Sequence, residues 1–353
     1  MLFSQWTALW LSFFILSGST APLMSTDDIE KYIRKKLRRN DKTLRINEKP
    51  LGDRGTKFLA DSPLLKNVTG LVIYKSGVGD EGARAIAESP NLKNLTSLSL
   101  ENNAITEAGA RYLSQSKTLA NLEILNLYRN QINDAGAEAF AESESLPRLV
   151  ELNLNYNRIR GPGAIRLLRT NKLSRLENLG LAYNPLGKAA KTAWLRFNLK
   201  QKFKHLNRSG KLNDLGKNFI GDQGVMVLLQ SPEISGITQL DLNHNDLSDD
   251  AVIALARSPK LSQLVSLNLA HNRISDRGAL ALAGSQTLTN LRELNLNFNL
   301  IEDAGAEALA ASTTLSKLES LRLGQNRIGS QGANALQESK NLSNLLYPIF
   351  GFY

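Results

Sequence analysis

The amino-acid sequence predicts an α/β solenoid in which short parallel strands alternate with helices. Three observations predict this fold class: a period of 27 residues, leucines at alternate positions before each repeat's anchor, and a helical pattern after it. Every interval between anchors is 27 residues, except the 34 residues from Asn184 to Asn218. The anchors are Asn103, Asn130, Asn157, Asn184, Asn218, Asn245, Asn272, Asn299 and Asn326. Length alone favours two domains, but the repeat predicts one array with an interruption.

The first half of each repeat is predicted to be a short strand. Leucines precede most anchors by eight, five and three residues, as Leu122, Leu125 and Leu127 do. The alternation places these leucines inward and the intervening residues outward. A buried Asn at the turn that follows can satisfy backbone groups of its own repeat and of the next. Degenerate copies precede the first anchor, so repeats are expected over residues 44–345.

The second half of each repeat is predicted to be a helix. Its expected N-caps are Asp80, Asp134, Asp222, Asp276 and Asp303. A Gly-Ala pair two residues later, such as Gly278-Ala279, is expected to let the helix approach the strand layer. The helix then continues with Ala and Leu and is expected to end near Ser-Pro or Ser-x-x-Leu.

The repeat resembles a known family. Leu-x-x-Leu-x-Leu-x-x-Asn-x-Ile with a helical second half is similar to the leucine-rich repeat of ribonuclease-inhibitor type, which also occurs in Ran GTPase-activating protein and immune-receptor repeat domains. The resemblance implies a right-handed horseshoe with parallel strands on the concave face and helices on the convex face. Because this family binds many unrelated partners, the resemblance supplies a fold and no binding residue.

The net charge of +10 is concentrated in two segments. Residues 31–49 carry nine basic and two acidic side chains, and residues 188–211 carry eight basic side chains and no acidic one. The rest of the chain is therefore mildly acidic, and the net positive charge comes from these two basic segments. The chain has no cysteine, which excludes disulfides, thiolate metal sites and cysteine nucleophiles.

The first 23 residues form an apolar segment with three open interpretations. It can be a signal peptide with a small-residue cleavage site, an uncleaved membrane anchor, or a segment that is not translated if synthesis starts at Met24. The first two interpretations imply an exported or envelope-associated protein, and the third implies a cytoplasmic one. Residues 24–43 are expected to be a basic helical N-cap of the array. Residues 346–353 are expected to be a truncated strand or C-terminal tail.

An extended basic helix is predicted at residues 188–211, where the interval is seven residues longer. Seven residues are about two helical turns, so the helix lengthens while its faces stay in phase. The predicted apolar stripe is Leu195, Leu199, Phe203 and Leu206. The cations on the other faces are Lys191, Arg196, Lys200, Lys202 and Lys204. The helix is either a solvated convex helix or one that binds acidic lipid, protein or nucleic acid, with a membrane favoured over nucleic acid.

The candidate partner-binding residues lie one or two positions before the anchors. They are Tyr128, Arg129, Tyr156, Tyr183, His244, His271 and Phe298. Such aromatic and cationic side chains dominate binding hot spots, so a ridge along the concave edge is expected. Lateral stacking between neighbouring repeats is the alternative interpretation. Two imidazoles without a carboxylate make a poor metal site, so neither a metal nor a cofactor is expected.

The sequence favours a non-enzymatic protein-protein interaction scaffold that binds its partner on the concave face. No Ser-His-Asp or paired-carboxylate set is evident, and Gly161-Pro162-Gly163 lacks the strand-loop-helix context of a phosphate loop. No small-molecule substrate is expected. Two alternatives stay open: a small-GTPase regulator, which only the resemblance to Ran GTPase-activating protein implies, and an adaptor to an anionic membrane or nucleic acid through the basic helix.

Overall fold

A computed structural model describes residues 22–346 of the chain. The expectations for the apolar segment before residue 22 and for the tail after Leu346 lie outside the described residues. The described residues form two compact units, which divide between Trp194 and Leu195. Each unit repeats the same strand-and-helix motif.

The first unit contains a parallel sheet of six strands in chain order. Its strands are β1 (Thr43–Asn47), β2 (Gly70–Tyr74), β3 (Ser97–Ser99), β4 (Ile124–Asn126), β5 (Glu151–Asn153) and β6 (Asn178–Gly180). Its helices are α1 (Thr26–Leu37), α2 (Gly52–Asp61), α3 (Asp80–Glu88), α4 (Glu107–Ser114), α5 (Asp134–Ala141) and α6 (Gly161–Arg169). Neighbouring strands pair at an offset of 27 residues, so that Leu98 lies beside Leu125.

The second unit contains a parallel sheet of four strands. Its strands are β7 (Gln239–Asp241), β8 (Ser266–Asn268), β9 (Glu293–Asn295) and β10 (Ser320–Arg322). Its helices are α8 (Gly221–Gln230), α9 (Asp249–Ala256), α10 (Asp276–Ala283), α11 (Asp303–Ala310) and α12 (Ser330–Gln337). The first repeat contributes only a single bridge, from Asp214 to Asp241. Asn213 stands there in place of a leucine, which explains the weak pairing.

The anchor asparagines join each repeat to the one before it. Asn130 is 7% exposed, and its side-chain amide donates to the carbonyls of Leu100 (3.0 Å) and Leu127 (3.1 Å). Its Oδ1 accepts from the Ile105 amide at 3.1 Å. The sequence predicts partners in the anchor's own repeat and in the next repeat. The partners outside the anchor's own repeat, Leu100 and Ile105, lie instead in the preceding repeat. Together these bonds satisfy the donors of the buried asparagine side chain.

The aspartates that follow the anchors do not cap their own helices, so that prediction is wrong. Asp276 is the first residue of α10, and the N-cap is Ser275. Its Oδ1 accepts from the amides of Glu302 (2.7 Å) and Gly305 (2.9 Å) at the start of α11. Each aspartate therefore satisfies the free amides of the next repeat's helix, where its negative charge also suits the helix dipole.

In most Gly-Ala pairs the glycine provides room for that aspartate, and not for the strand layer as expected; at Gly136 a Cβ would instead meet Ile132. A Cβ on Gly278 would lie 2.6 Å from Asp249 Oδ1 and 2.6 Å from Ile274 Cγ2. The Gly278 amide donates to the same carboxylate oxygen at 3.0 Å. Any side chain at this position would therefore displace the bond between the repeats.

Helix α7 (Lys188–Arg208) occupies the predicted extended segment. Leu199 and Phe203 are buried in the core of the second unit, and Leu206 packs against that core. Leu195 is 46% exposed, so its place in the apolar stripe is wrong. Trp194 faces the first unit instead, where its indole Nε1 donates to the Leu179 carbonyl at 2.8 Å. Within residues 22–346, no helix is long and apolar enough to cross a membrane.

Gly278→Ala is expected to lower the free energy of unfolding by about 1–3 kcal/mol, because the added methyl overpacks the contact with Asp249. Gly284→Ala is the matched control, since Gly284 ends the same helix, has no positive φ and has only the Leu280 carbonyl at 3.5 Å. Urea denaturation of both variants measures the difference. Equal stability of the two variants would contradict this role of the glycine.

Candidate partner-binding surface

The predicted ridge residues lie in the turns after the strands and not on the strands. β5 ends at Asn153, and Tyr156 follows it with a positive φ of 56°. Tyr183, His244, His271 and Phe298 share this left-handed conformation, with φ between 51° and 58°. Left-handed backbone costs about 1–2 kcal/mol for a residue other than glycine, and asparagine tolerates it best. Backbone preference therefore does not account for the bulky rings.

Contacts with neighbouring repeats hold the backbone in this conformation. The Tyr156 amide donates to the Ala182 carbonyl of the next repeat at 2.9 Å, and the His271 amide donates likewise to Asn297. The Asn157 side chain next to Tyr156 is fully bonded within the core. The turn is thus fixed by its surroundings, and the residue type at this position is free to vary.

The first unit stacks three tyrosines from successive repeats. The rings of Tyr156 and Tyr183 lie 4.0 Å apart between centroids and are tilted by 17°. Tyr128 lies 5.1 Å from Tyr156 at 58°. Arg129 is near enough for its charge to oppose the rise in the Tyr156 pKa, which burial and a hydrogen bond with Tyr183 cause. Tyr183 is 73% exposed at the end of this stack. We call Tyr128, Tyr156 and Tyr183 the tyrosine stack.

The second unit forms a stack of the same kind from two histidines and a phenylalanine. The ring centroids of His244 and His271 are 3.9 Å apart, and those of His271 and Phe298 are 4.0 Å apart. His244 Nδ1 lies 2.9 Å from Asn243 Oδ1, which orients the ring. We call His244, His271 and Phe298 the histidine stack. The rings of each stack pack against each other, as the lateral-stacking interpretation expects. They also leave aromatic surface exposed, which a partner-binding ridge requires.

The histidine stack disfavours a positive charge at its centre. Burial lowers the pKa of His271 below its ordinary value of 6.5, and the charges of His244 and Lys217 lower it further. The folded chain therefore keeps this imidazole neutral to lower pH than an unfolded chain does.

Two features of the second unit were not predicted. Phe219 is 81% exposed and has a positive φ of 50°. The sheet also lines a polar groove of about 360 Å³, in which the Asn268 amide donates to Asp241 Oδ2 at 3.1 Å. The alternation of leucine marks these strand positions as outward, but gives no sign that they bond to each other.

The predicted cations of α7 are placed unequally. Lys191, Arg196, Lys200 and Lys204 are exposed, whereas Lys202 is half-buried. Arg196 contacts Gln223 Oε1 at 3.4 Å. Over the described part of the chain, no group of three or more His, Asp or Glu side chains is arranged to hold a metal ion.

Lowering the pH from about 7.5 to about 5.5 is expected to destabilise the protein. Below pH 6.5 the unfolded chain takes up a proton that His271 in the fold resists, so the free energy of unfolding falls as pH falls. Thermal melting of His271→Asn should show a smaller drop, because asparagine does not titrate and suits the left-handed turn. His205→Asn, on the exposed surface of α7, is the control. An unchanged drop in His271→Asn would contradict the prediction.

Comparisons with known proteins bear on the repeat itself. Residues 93–159 match a family model described as "Leucine rich repeat", residues 262–311 match "Leucine Rich repeats (2 copies)", and residues 237–256 and 314–336 match another "Leucine Rich repeat" model. No curated protein matches the chain.

Solved structures similar to this chain include an internalin from Listeria monocytogenes and a plant ice-binding protein. The internalin has 18% identity and a TM-score of 0.28, with 98% of this chain and 95% of the internalin covered. The ice-binding protein has 17% identity and a TM-score of 0.27, with 81% and 72% covered. The matches to the family models fall in both units and confirm that this chain is built from leucine-rich repeats.

Proposed function

We propose that the protein is a non-enzymatic scaffold that binds a protein partner through the tyrosine stack and the histidine stack. Leucine-rich-repeat domains typically bind proteins, which supports the class of partner. The observation that carries the proposal is the repeated placement of exposed rings in left-handed turns, where tyrosine and phenylalanine are unfavourable.

The rings provide apolar area that is already ordered. Tyr183 is 73% exposed and Phe298 is 45% exposed, although each packs one ring face against its neighbour. Stacking restricts their rotamers before a partner arrives, so binding loses less side-chain entropy. Exposed tyrosines combine a large apolar face with a hydroxyl, and such residues contribute much of the energy of protein interfaces.

The backbone strain supports function over stability as the reason for the rings. A stacked pair contributes about 0.5–1.5 kcal/mol beyond burial, which is similar to the cost of about 1–2 kcal/mol of a left-handed residue. Asn102 occupies the same register with φ of 56° and needs no ring. Stability therefore gains little from Tyr or Phe at this position, whereas a binding surface gains an anchor.

The partner would meet the strand side of the repeats, which the resemblance implies to be concave. We also propose that the repeats are of ribonuclease-inhibitor type. A helix of eight to ten residues in the repeats of both units supports this assignment, because the resemblance implies a helix on the side opposite the strands.

A double substitution, Tyr156→Asn with Tyr183→Asn, tests the proposal. Asparagine removes the rings and suits the left-handed turn, so the free energy of unfolding should change by less than about 1 kcal/mol. Proteins that crosslink to the wild-type chain in extracts of its native cells should be lost from the variant, as identified by mass spectrometry.

Leu280→Asn is the matched control, since Leu280 is 62% exposed on α10 and lies outside both stacks. The control should capture the same proteins as the wild type. An unchanged set of crosslinked proteins in the double variant, with its fold intact, would refute binding at the tyrosine stack.

A further inference from the structure

Helix α7 differs from the repeat helices in the balance of its surface charge. In the repeats, cations pair with acids of the neighbouring repeat, as Arg148 does with Glu123 (3.4 Å) and Arg166 with Glu142 (2.7 Å). Residues 188–211 contain no acidic side chain, so the helix cannot neutralise itself. Exposed cations of this helix, Lys200 and Lys204 among them, therefore form a surface with a net positive charge.

Of the apolar stripe of this helix, Leu195 alone is exposed. Leu199 is 7% exposed and Phe203 is 2% exposed, both within the core of the second unit. An amphipathic helix binds a bilayer by burying its apolar face there, and these two residues do not offer one. The cations therefore act without an inserting face.

A groove of about 340 Å³ lies beside two of these cations, within the second unit. Lys200 and Lys204 line it from α7, four residues and about 6 Å apart along the helix. Val227 and Pro232 supply apolar lining, and Glu233 adds a carboxylate. The groove thus offers paired positive charges beside apolar atoms.

The groove coincides with a change in the regular contacts between repeats. In six repeats the serine after the helix donates to a carbonyl 29 residues earlier, as Ser285 does to Ala256 at 2.6 Å. Ser231 donates instead to Val227 of its own helix, at 3.4 Å. Lys260 Nζ donates to the Ser231 carbonyl at 2.9 Å, which places a third ammonium group beside the groove.

We propose that this groove binds an acidic segment of a partner protein, independently of the aromatic stacks. Carboxylates of the segment pair with Lys200 and Lys204, and an apolar side chain of the segment contacts Val227 and Pro232. The apolar lining by Val227 and Pro232 favours a polypeptide, because a phosphate backbone carries no aliphatic side chain to contact it, whereas Glu233 opposes either anion. A bilayer surface would use the exposed cations without needing a recess.

Fluorescence anisotropy with the full chain tests this site, using a short labelled peptide of glutamates interspersed with leucines as the probe. The double variant Lys200→Glu with Lys204→Glu should lose at least about tenfold in affinity, which is about 1.4 kcal/mol. The variant with glutamines at both positions should lose affinity in the same direction. The glutamine variant removes the two positive charges without adding carboxylates. It therefore separates loss of the lysine-carboxylate pairing from any structural change caused by the introduced glutamates.

Lys31→Glu with Lys35→Glu is the matched control, because both side chains are exposed on α1 and the net charge changes equally. This control should keep the wild-type affinity, and so should the Tyr156→Asn with Tyr183→Asn variant if the two surfaces are independent. Equal weakening in the α1 control would overturn the proposal in favour of overall charge. Tighter binding of labelled oligouridine or of phosphatidylserine vesicles, lost on Lys200→Glu with Lys204→Glu, would overturn the choice of a polypeptide.

Discussion

Side-chain hydrogen bonds between neighbouring repeats are the constraint on which the rest of the structure depends. An asparagine completes the turn of the repeat before it, and an aspartate accepts from the free amides of the helix after it. A serine hydroxyl donates to the last carbonyl of the helix before it, as Ser285 does to Ala256. Among residues 22–346, no buried side-chain nitrogen or oxygen lacks a partner. Since a polar group buried without a partner costs about 1–3 kcal/mol, these bonds favour a constant interval of 27 residues between anchors within the regular repeats.

The two candidate binding surfaces relate to this constraint in opposite ways. The stacks depend on regularity, because a left-handed turn at a fixed offset brings Tyr156 beside Tyr183 and aligns His244, His271 and Phe298. Tyr128 joins its stack from one position earlier in its repeat. The groove beside α7 accompanies a departure from regularity, where a helix of 21 residues stands in place of a short repeat helix. A repeating scaffold can therefore acquire a surface by varying a free position or by lengthening one element.

Most of the fold could be predicted because a strict period exposes strand, turn and helix nine times over. Which helix each aspartate contacts could not be predicted. Every repeat contains both the aspartate and the helix amides, so the sequence does not show whether an aspartate meets its own helix or that of the next repeat. The need for glycine at Gly278 follows only once Asp249 is known to lie there. The left-handed turn could not be predicted from the sequence, because Tyr and Phe have no preference for this conformation. Only Asn102 places at this position the asparagine that typically indicates such a turn. Leu195 was wrongly assigned to the buried stripe, because helical periodicity does not indicate where one unit ends and the next begins.

The asparagine contacts also set the order in which the repeats can be completed during synthesis. The amide of Ile105 is completed by Asn130, and that of Ile274 by Asn299, in each case 25 residues further along the chain. During synthesis the newest repeat therefore waits, with its turn unsatisfied, until the ribosome has added most of another repeat. The growing array carries one unfinished repeat at its leading end, and each new asparagine closes the repeat made before it.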